Sequence, residues 1–213
     1  MVSSGEKRAR RKPPAERRAE IVAAAAAIAL SDGLERVTLR AVAERLGVRP
    51  GLITHYFPAA EELVAAAFAL AVSEEREQLL PTGGSPLERI ARLAARAQSE
   101  GARELSRLWL NARHLSRFSP LLGSCLEDQE ALDREQLTAI IAEGVREGVF
   151  GVEDAAAAAV RILIAVDGFG AYANNRSSFE DPAFTCFVAD AAEWALGLEA
   201  GALRGVAREG AGG

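Results

Sequence analysis

The sequence predicts an all-α protein. Alanine and leucine are abundant, aromatic residues make up only 6% of the 213 residues, and alternating runs of Val, Ile and Thr are absent. Such a composition favours helices over strands. Turn-forming breaks, most clearly PTGGSP at 81–86, divide the chain into about nine helical segments.

We expect four parts along the chain. Residues 1–12 are polar and basic without apolar periodicity, which is typical of a disordered arm. Residues 13–58 predict three short helices of a helix-turn-helix domain, because Pro13-Pro14 can open the first and Pro58 can close the last. Residues 59–200 predict a helical regulatory and dimerisation domain. The Gly- and Ala-rich residues 201–213 predict a flexible tail.

Charge is unevenly distributed along the chain. The whole protein carries −5, whereas residues 1–18 hold seven basic residues against two acidic ones. A basic end on an acidic body predicts a local surface for a polyanion.

Two apolar stretches raise the question of a targeting or membrane segment. Ile21–Leu30 imitates a secretory signal, but Glu16 and Glu20 precede it and Ser-Asp-Gly follows it. Ala155–Val166 contains Arg161 and is too short to span a membrane. We therefore expect a cytoplasmic protein with no membrane partner.

Cysteine and histidine are too few for a disulfide framework or a conventional zinc site, so no metal or cofactor is expected. Cys125 and Cys186 are expected to be buried thiols, with redox sensing as the alternative. No nucleophile elbow, phosphate loop or Cys-His constellation occurs, so the protein is not expected to be an enzyme; an all-α enzyme remains a remote alternative.

The stretch TLRAVAERLGVRPGLITHYF, residues 38–57, carries the strongest functional pattern. Thr38 can cap a helix with apolar residues at i, i+3, i+4 and i+7, and Gly47 can end that helix in a tight turn. A second short helix opens near Pro50 and buries Ile53 and Phe57. Two short helices around a glycine turn predict a helix-turn-helix, whose second helix enters the DNA major groove.

The outer face of this motif supplies hydrogen-bond donors suited to DNA. Arginines there can bind guanine or phosphate, and hydroxyl groups can bind phosphate oxygens. The predicted DNA-binding residues are Thr38, Arg40, Arg49, Pro50, Gly51, Leu52, Thr54, His55 and Tyr56. Arginines and a lysine of the basic arm can lie in the adjacent minor groove: Arg10, Arg11 and Lys12.

The segment from Arg17 to Leu63 resembles the DNA-binding domain of TetR/AcrR-type transcriptional regulators. Its signature is Gly33, three intervening residues and then VTLRAVAERLGV, followed by a short helix ending in Tyr-Phe and then by E-x-L. The GLITHYF version is most similar to the subgroup of betaine/choline-responsive repressors. In two positions the chain departs from the family pattern: Thr54 replaces the usual tyrosine, and Ala60 replaces a lysine that would contact phosphate.

This resemblance implies an all-α homodimer, a palindromic double-stranded DNA operator and a small-molecule effector that releases the repressor. A ligand-independent DNA-binding or architectural protein is the alternative. The last two predicted helices, 153–174 and 182–200, are apolar on broad faces and predict a four-helix interface with a second copy. The alternative is an internal core pair in a monomer. The predicted interface residues are Arg161, Phe184, Phe187, Val188, Ala191, Trp194, Ala195 and Leu198.

The effector site is predicted from aromatic and polar residues on helices able to enclose a cavity. Aromatic rings with an acid would suit a cation such as a quaternary amine. Trp109 and Phe118 are equally compatible with plain core packing, and Asp167 with a pair to Arg161. The candidate ligand residues are Trp109, Asn111, Arg113, His114, Phe118, Gln129, Asp167, Phe169 and Tyr172.

Overall fold

The computed structural model describes residues 12–80, 82–99, 101–175 and 181–209, without the side chains of residues 79 and 207–209. Over these ranges the chain is all-α, as predicted, with eleven α-helices and one 3₁₀ turn at Leu34–Arg36. The helices are α1 Pro14–Asp32, α2 Leu39–Leu46, α3 Pro50–Tyr56, α4 Ala60–Leu79, α5 Pro86–Ala97, α6 Ala102–Leu115, α7 Pro120–Arg146, α8 Ala155–Ala173, α9 Pro182–Thr185, α10 Phe187–Leu196 and α11 Ala202–Glu209.

The first three helices, α1 to α3, pack together as the predicted three-helix unit, which we call the tripod. The Thr38 hydroxyl accepts a hydrogen bond from the Ala41 backbone N–H at 3.0 Å and so caps α2. Gly47 ends α2 with φ of 65°, a left-handed conformation that glycine adopts without strain. Ile21, Val42 and Ile53, one from each helix, are completely buried against one another.

The core of this tripod continues into the following helices. The same hydrophobic cluster contains Phe68 from α4, Leu108 from α6 and Leu122 from α7. The predicted division at residues 58 and 59 therefore separates two parts that share one core. Helix α4 packs along α1 and also along α7, so it belongs to both parts.

A second core lies in the C-terminal bundle, where α5, α7, α8 and α10 pack together. Here Gly144 of α7 allows the Phe150 ring to approach: a Cβ on Gly144 would lie 2.3 Å from ring carbons of Phe150. Phe150 is buried, so this glycine fits a close contact and not a turn.

The C-terminal end differs from the sequence-based expectation. The predicted helix 182–200 is divided at Cys186 into α9 and α10, and residues 202–209 form α11 where a flexible tail was expected. The buried carboxylate of Glu193 accepts hydrogen bonds from the backbone N–H groups of Gly201 at 2.7 Å and Leu203 at 2.9 Å. These bonds hold the start of α11, whose Leu203 is buried. Residues 210–213 lie outside the described ranges.

Helix α8 also corrects a sequence argument. Its apolar run continues to Ala173, and by length and composition alone this 19-residue helix could cross a membrane. Helices α3 and α4, which are bent by 77° relative to each other, would also be long and apolar enough if they formed one span. The prediction that the run is too short was therefore wrong. Helix α8 packs against α6, α7 and α10 of the same chain, and the core helix of a soluble protein passes the same test.

Candidate nucleic-acid interface and regulatory cavity

Helix α3 presents one side to the core and the other to solvent. Ile53 and Phe57 are fully buried, whereas Thr54 and His55 are exposed. A Cβ added to Gly51 would meet no atom within 4 Å, so the outer surface of the helix is open. This geometry leaves the donor face of α3 free for a groove of DNA.

The predicted DNA-binding residues fall into two groups by exposure. Arg49, Pro50 and Gly51 at the start of α3 are exposed together with Thr38 and Arg40. Leu52 and Tyr56 are half-buried, and Tyr56 packs partly against the tripod core while its ring meets the His55 ring edge-on at 5.2 Å. The Thr54 hydroxyl donates to the Pro50 carbonyl at 3.3 Å. Its remaining acceptor capacity faces solvent.

Two of these cations already have partners. Arg40 Nε donates to Glu44 Oε1 at 2.8 Å across one turn of α2, and this pair raises the pKa of Arg40. Lys12 Nζ lies 3.0 Å from Glu20 Oε1 and lowers the pKa of that carboxyl. Arg10 and Arg11 lie outside the described residues.

Sequence reasoning missed one cation beside this face. The guanidinium of Arg18, on α1, lies 4.7 Å from the centre of the Phe57 ring. It therefore sits next to the end of α3. The available signal was its place in the basic run that begins the chain, but periodicity alone did not show which way it points.

A cavity of about 270 Å³ lies between α4, α5, α6, α7 and α8. Most of its wall is apolar, from Leu105 and Leu110 on α6 to Leu163 and Val166 on α8. Charged groups and one indole also line it: Glu75, Arg76, Trp109, Arg113, Glu130, Asp133, Arg134 and Asp167. An apolar wall with a few convergent polar groups is the usual make-up of a ligand pocket.

Ion pairs connect these charged groups. Arg113 Nη2 lies 2.7 Å from Asp167 Oδ2 and 3.1 Å from Glu130 Oε1. Arg76 pairs with Asp133 and also donates to the Gln129 side chain at 2.9 Å. Burial raises the pKa of both Asp133 and Asp167, even though each has an arginine partner that acts in the opposite direction.

The structure brings three of the nine candidate ligand residues to the cavity wall: Trp109, Arg113 and Asp167. Gln129 stands behind the wall as a partner of Arg76, and buried Phe169 stacks on Phe184 with ring centres 4.6 Å apart. His114 and Phe118 form an exposed pair at the end of α6, and Tyr172 is exposed on α8. The predicted set is therefore not gathered around this one cavity, because helical periodicity places residues on a helix but not on the same side of several helices.

Asn111 has a structural partner outside the cavity. Its Oδ1 accepts a hydrogen bond from the Leu34 backbone N–H at 2.7 Å. One turn earlier, Arg107 donates to the Leu30 carbonyl at 2.8 Å. Helix α6 therefore contacts the end of α1 and the turn before α2 with one face, while Trp109 and Arg113 line the cavity from another.

The predicted interface residues divide between surface and core. Phe187 and Trp194 on α10 are exposed, with Trp194 at 73%, and the Arg161 guanidinium lies 5.5 Å from the Trp194 ring centre. Val188 and Ala195 are buried inside the chain, which corrects their placement on an outer face. Phe184, Ala191 and Leu198 are half-buried. Exposed Val160 and Ile164 of α8, absent from the prediction, extend the apolar surface.

Other predicted contacts also change. Asp167 pairs with Arg113, so the alternative pair with Arg161 is not formed. Cys125 is half-buried, its thiol lies 3.5 Å from the Ala65 carbonyl, and burial raises its pKa. Such a thiol is a weak nucleophile at neutral pH. Cys186 is half-buried between α9 and α10.

The fold and the outward face of α3 define a helix-turn-helix protein with a helical C-terminal bundle. Residues 21–67 match the model of the family described as bacterial regulatory proteins, tetR family. The matched residues run from α1 into α4 and include both helices of the helix-turn-helix.

The curated relatives are transcriptional repressors. The chain is 40% identical over 76 residues to the HTH-type transcriptional repressor KstR of Rhodococcus jostii, which is 35% of this chain and 36% of that protein. It thus spans about a third of that relative's length. It is 27% identical over 141 residues to KstR2 of Mycolicibacterium smegmatis, covering 64% and 69% of the two chains.

Solved structures share the fold over most of the chain. A transcriptional regulator from Saccharomonospora viridis in complex with choline has a TM-score of 0.66 and 22% identity, with 85% of this chain and 94% of that chain covered. The likeness extends through both the helix-turn-helix part and the C-terminal bundle.

Proposed function

We propose that the protein is a sequence-specific DNA-binding transcriptional repressor of the TetR type, which acts as a homodimer and is released from its operator by a small-molecule effector. The observation that carries this proposal is the exposed donor face of α3 on a tripod whose core is fully buried. Arg49, Thr54 and His55 stand on that face with no core contact to hold them inward. The repressor relatives agree with it.

Dimerisation supplies the spacing between two such helices. The exposed apolar residues of α8 and α10 form a surface whose contact with water is unfavourable in a lone chain. Pairing of these faces about a two-fold axis would place the two α3 helices about one DNA turn apart, ~34–36 Å, on a palindromic operator.

Effector release follows from the two faces of α6. A ligand in the cavity contacts the helix near Trp109 and Arg113, and the same helix holds α1 and the Leu34 turn through Arg107 and Asn111. A ligand that prefers a shifted α6 changes the spacing of the α3 helices by its differential affinity for the two states.

The proposal extends to the chemical type of the effector and to the cellular compartment. The GLITHYF motif resembles the choline-responsive subgroup, and one structural neighbour is in complex with choline, so choline-type compounds are the first effectors to try. As a regulator of transcription, the protein would act in the cytoplasm.

Selection of bound duplexes from a random library tests the DNA-binding function. We expect a palindromic consensus whose half-sites are one helical turn apart, bound with a steep salt dependence because phosphate contacts carry much of the affinity. A library that yields no enriched sequence, or an affinity unchanged between 50 and 200 mM salt, would refute the proposal.

A further inference from the structure

We propose that the cavity binds a small organic cation whose charged group replaces the Arg113 guanidinium between the Trp109 ring, Glu130 and Asp167. This inference rests on the proposed function, since it takes the cavity as the effector site. It goes beyond the suggestion of choline-type effectors by locating the subsite for the positive charge, and it assigns Arg113 the role of an internal occupant of that subsite.

The contacts of Arg113 have the form of a cation-binding site that the protein fills itself. Its Nη2 is 2.7 Å from the Asp167 carboxylate and 3.1 Å from that of Glu130. Its guanidinium carbon lies 5.3 Å from the centre of the Trp109 ring. Two carboxylates and an aromatic face around one positive charge are the groups that bind ammonium ligands.

The charges around Arg113 favour a cation over an anion. Asp133 has Arg76 as its partner, and Glu75 has a bidentate partner in Arg96 behind the wall. Glu130 and Asp167, by contrast, share the single guanidinium of Arg113. The cavity is lined by four carboxylates and three arginines, Arg76, Arg113 and Arg134, so the wall as a whole is nearly balanced. The preference for a cation is local: beside Trp109, two carboxylates face one positive charge, and an ammonium group in the place of Arg113 would keep that attraction whereas an anion would be repelled there.

Arg113 is able to leave its place without a large penalty. Its side chain is 34% exposed, and those of its two carboxylate partners are 43% exposed. Ion pairs with this much contact with water contribute little net stability, so the guanidinium can turn outward while a ligand takes its contacts.

The rest of the cavity accommodates the body of such a ligand. Besides the charged groups, the wall contains Leu105, Leu110 and Leu163. The volume of about 270 Å³ lies at the lower end of ligand pockets, which span roughly 300–1,000 Å³. The ligand is therefore a compact ammonium compound with apolar substituents.

Isothermal titration calorimetry on the full chain tests this assignment with ligands matched in shape. The probes are choline and its neutral isostere 3,3-dimethylbutan-1-ol, and hexyltrimethylammonium with heptanoate as an anion of similar length. We expect the cations to bind about tenfold or more tightly than the neutral and anionic probes.

Three variants separate the role of each group. Asp167→Asn keeps the shape and removes a charge, so cation affinity should fall about tenfold. Arg113→Gln removes the internal competitor, so cation affinity should rise; if Arg113 were instead the anchor of an anionic ligand, the same variant would abolish heptanoate binding. Glu127→Gln, on the exposed side of α7 and away from the cavity wall, is the matched control and should bind as the wild type does.

Several outcomes would overturn the inference. These are equal affinity for choline and its neutral isostere, tighter binding of heptanoate, weaker cation binding by Arg113→Gln, or no binding of either cation at about 1 mM. Any of these with operator binding intact would leave the proposed DNA-binding function standing, because that function is measured separately by duplex selection.

Discussion

Asn111 Oδ1 lies 2.7 Å from the backbone nitrogen of Leu34, and this hydrogen bond joins the helix that lines the cavity to the turn that precedes the helix-turn-helix. The sequence separation is 77 residues. Together with the hydrogen bond from Arg107 to the Leu30 carbonyl, this bond ties α6 to the helix-turn-helix part.

Removal of this connection should weaken the response to effector. Asn111→Ala leaves the Leu34 N–H without its acceptor, so we expect the free energy of unfolding to fall by about 1–3 kcal/mol. The effector-dependent change in operator affinity should fall as well. Asn111→Asp keeps an acceptor oxygen and should restore both, as measured by chemical denaturation and by fluorescence anisotropy of labelled operator. A full effector response in Asn111→Ala would show that the Asn111–Leu34 bond does not carry the response.

The Arg40–Glu44 pair predicts opposite effects of two neighbouring substitutions on DNA binding. Arg40→Ala should cost ~1–3 kcal/mol of operator affinity if the guanidinium reads a base, and less if it touches phosphate. Glu44→Gln removes the carboxylate that holds Arg40 and the like charge near DNA, so affinity should rise. Arg146→Ala, an exposed arginine at the end of α7, is the control of equal charge change. If Arg40→Ala and Arg146→Ala bind alike, Arg40 is not at the interface.

The apolar face of α8 and α10 predicts the oligomeric state. Ile164→Glu and Trp194→Glu place charges at side chains that are 65% and 73% exposed, so the monomer fold should survive. Sedimentation equilibrium should show monomers, and operator affinity should fall because two half-sites no longer bind together. Phe118→Glu changes an equally exposed aromatic at 74%, outside this face, and should stay dimeric. Dimers of the double variant would place the interface elsewhere.

The close contact between Gly144 and Phe150 predicts that alanine substitutions at two glycines of α7 will have different effects on protein stability. A Cβ at Gly144 would meet the Phe150 ring at 2.3 Å, whereas at Gly123 the nearest atom is 3.7 Å away. Gly144→Ala should therefore destabilise the protein by about 1–3 kcal/mol through overpacking. Gly123→Ala should be neutral or stabilising, because alanine is the better helix former. Thermal unfolding followed by circular dichroism measures both, and equal melting temperatures would contradict the packing argument.

The raised pKa of Asp167 predicts how cation binding depends on pH. Burial is the main cause, the Arg113 charge and hydrogen bond oppose it, and Glu130 adds to it. Because the ionised carboxylate binds the cation, affinity should fall as the pH drops through a pKa above the ordinary 3.8 of aspartate. Titrations of the wild type at decreasing pH, above the onset of acid unfolding, measure this fall. Asp167→Asn should lack the part of the decline that comes from this group; an identical pH profile in both proteins would show that Asp167 does not titrate with binding.

The tripod was predictable from the sequence because local signals agree there. The Thr38 cap, the Gly47 turn and the burial of Ile53 each depend on a few adjacent residues, and the structure contains all three. The two departures at the C-terminal end have another origin. Glu193 is buried because its carboxylate accepts hydrogen bonds from the backbone at the start of α11, up to ten residues further on, and helical periodicity does not reveal such a contact.

The cavity could be predicted only in part. Trp109 and Arg113 are one turn apart on α6, so their common face follows from helical geometry. Asn111 sits between them in sequence and therefore points elsewhere, toward Leu34. Which acid meets Arg113 depends on how α7 and α8 pack against α6, and this long-range arrangement is not encoded in any single segment.

The hydrophobic cluster that runs from Ile21 through Phe68 to Leu122 has a practical consequence for engineering. A chimaera that joins residues up to 58 to the regulatory domain of another protein would cut through this shared interior, because it keeps Phe57 but removes Leu63 and Phe68 of the same cluster. A transplant that carries α4 and the matching faces of α6 and α7 would keep that interior intact. The segment that must be transplanted to keep this DNA-binding part folded is therefore longer than the helix-turn-helix itself.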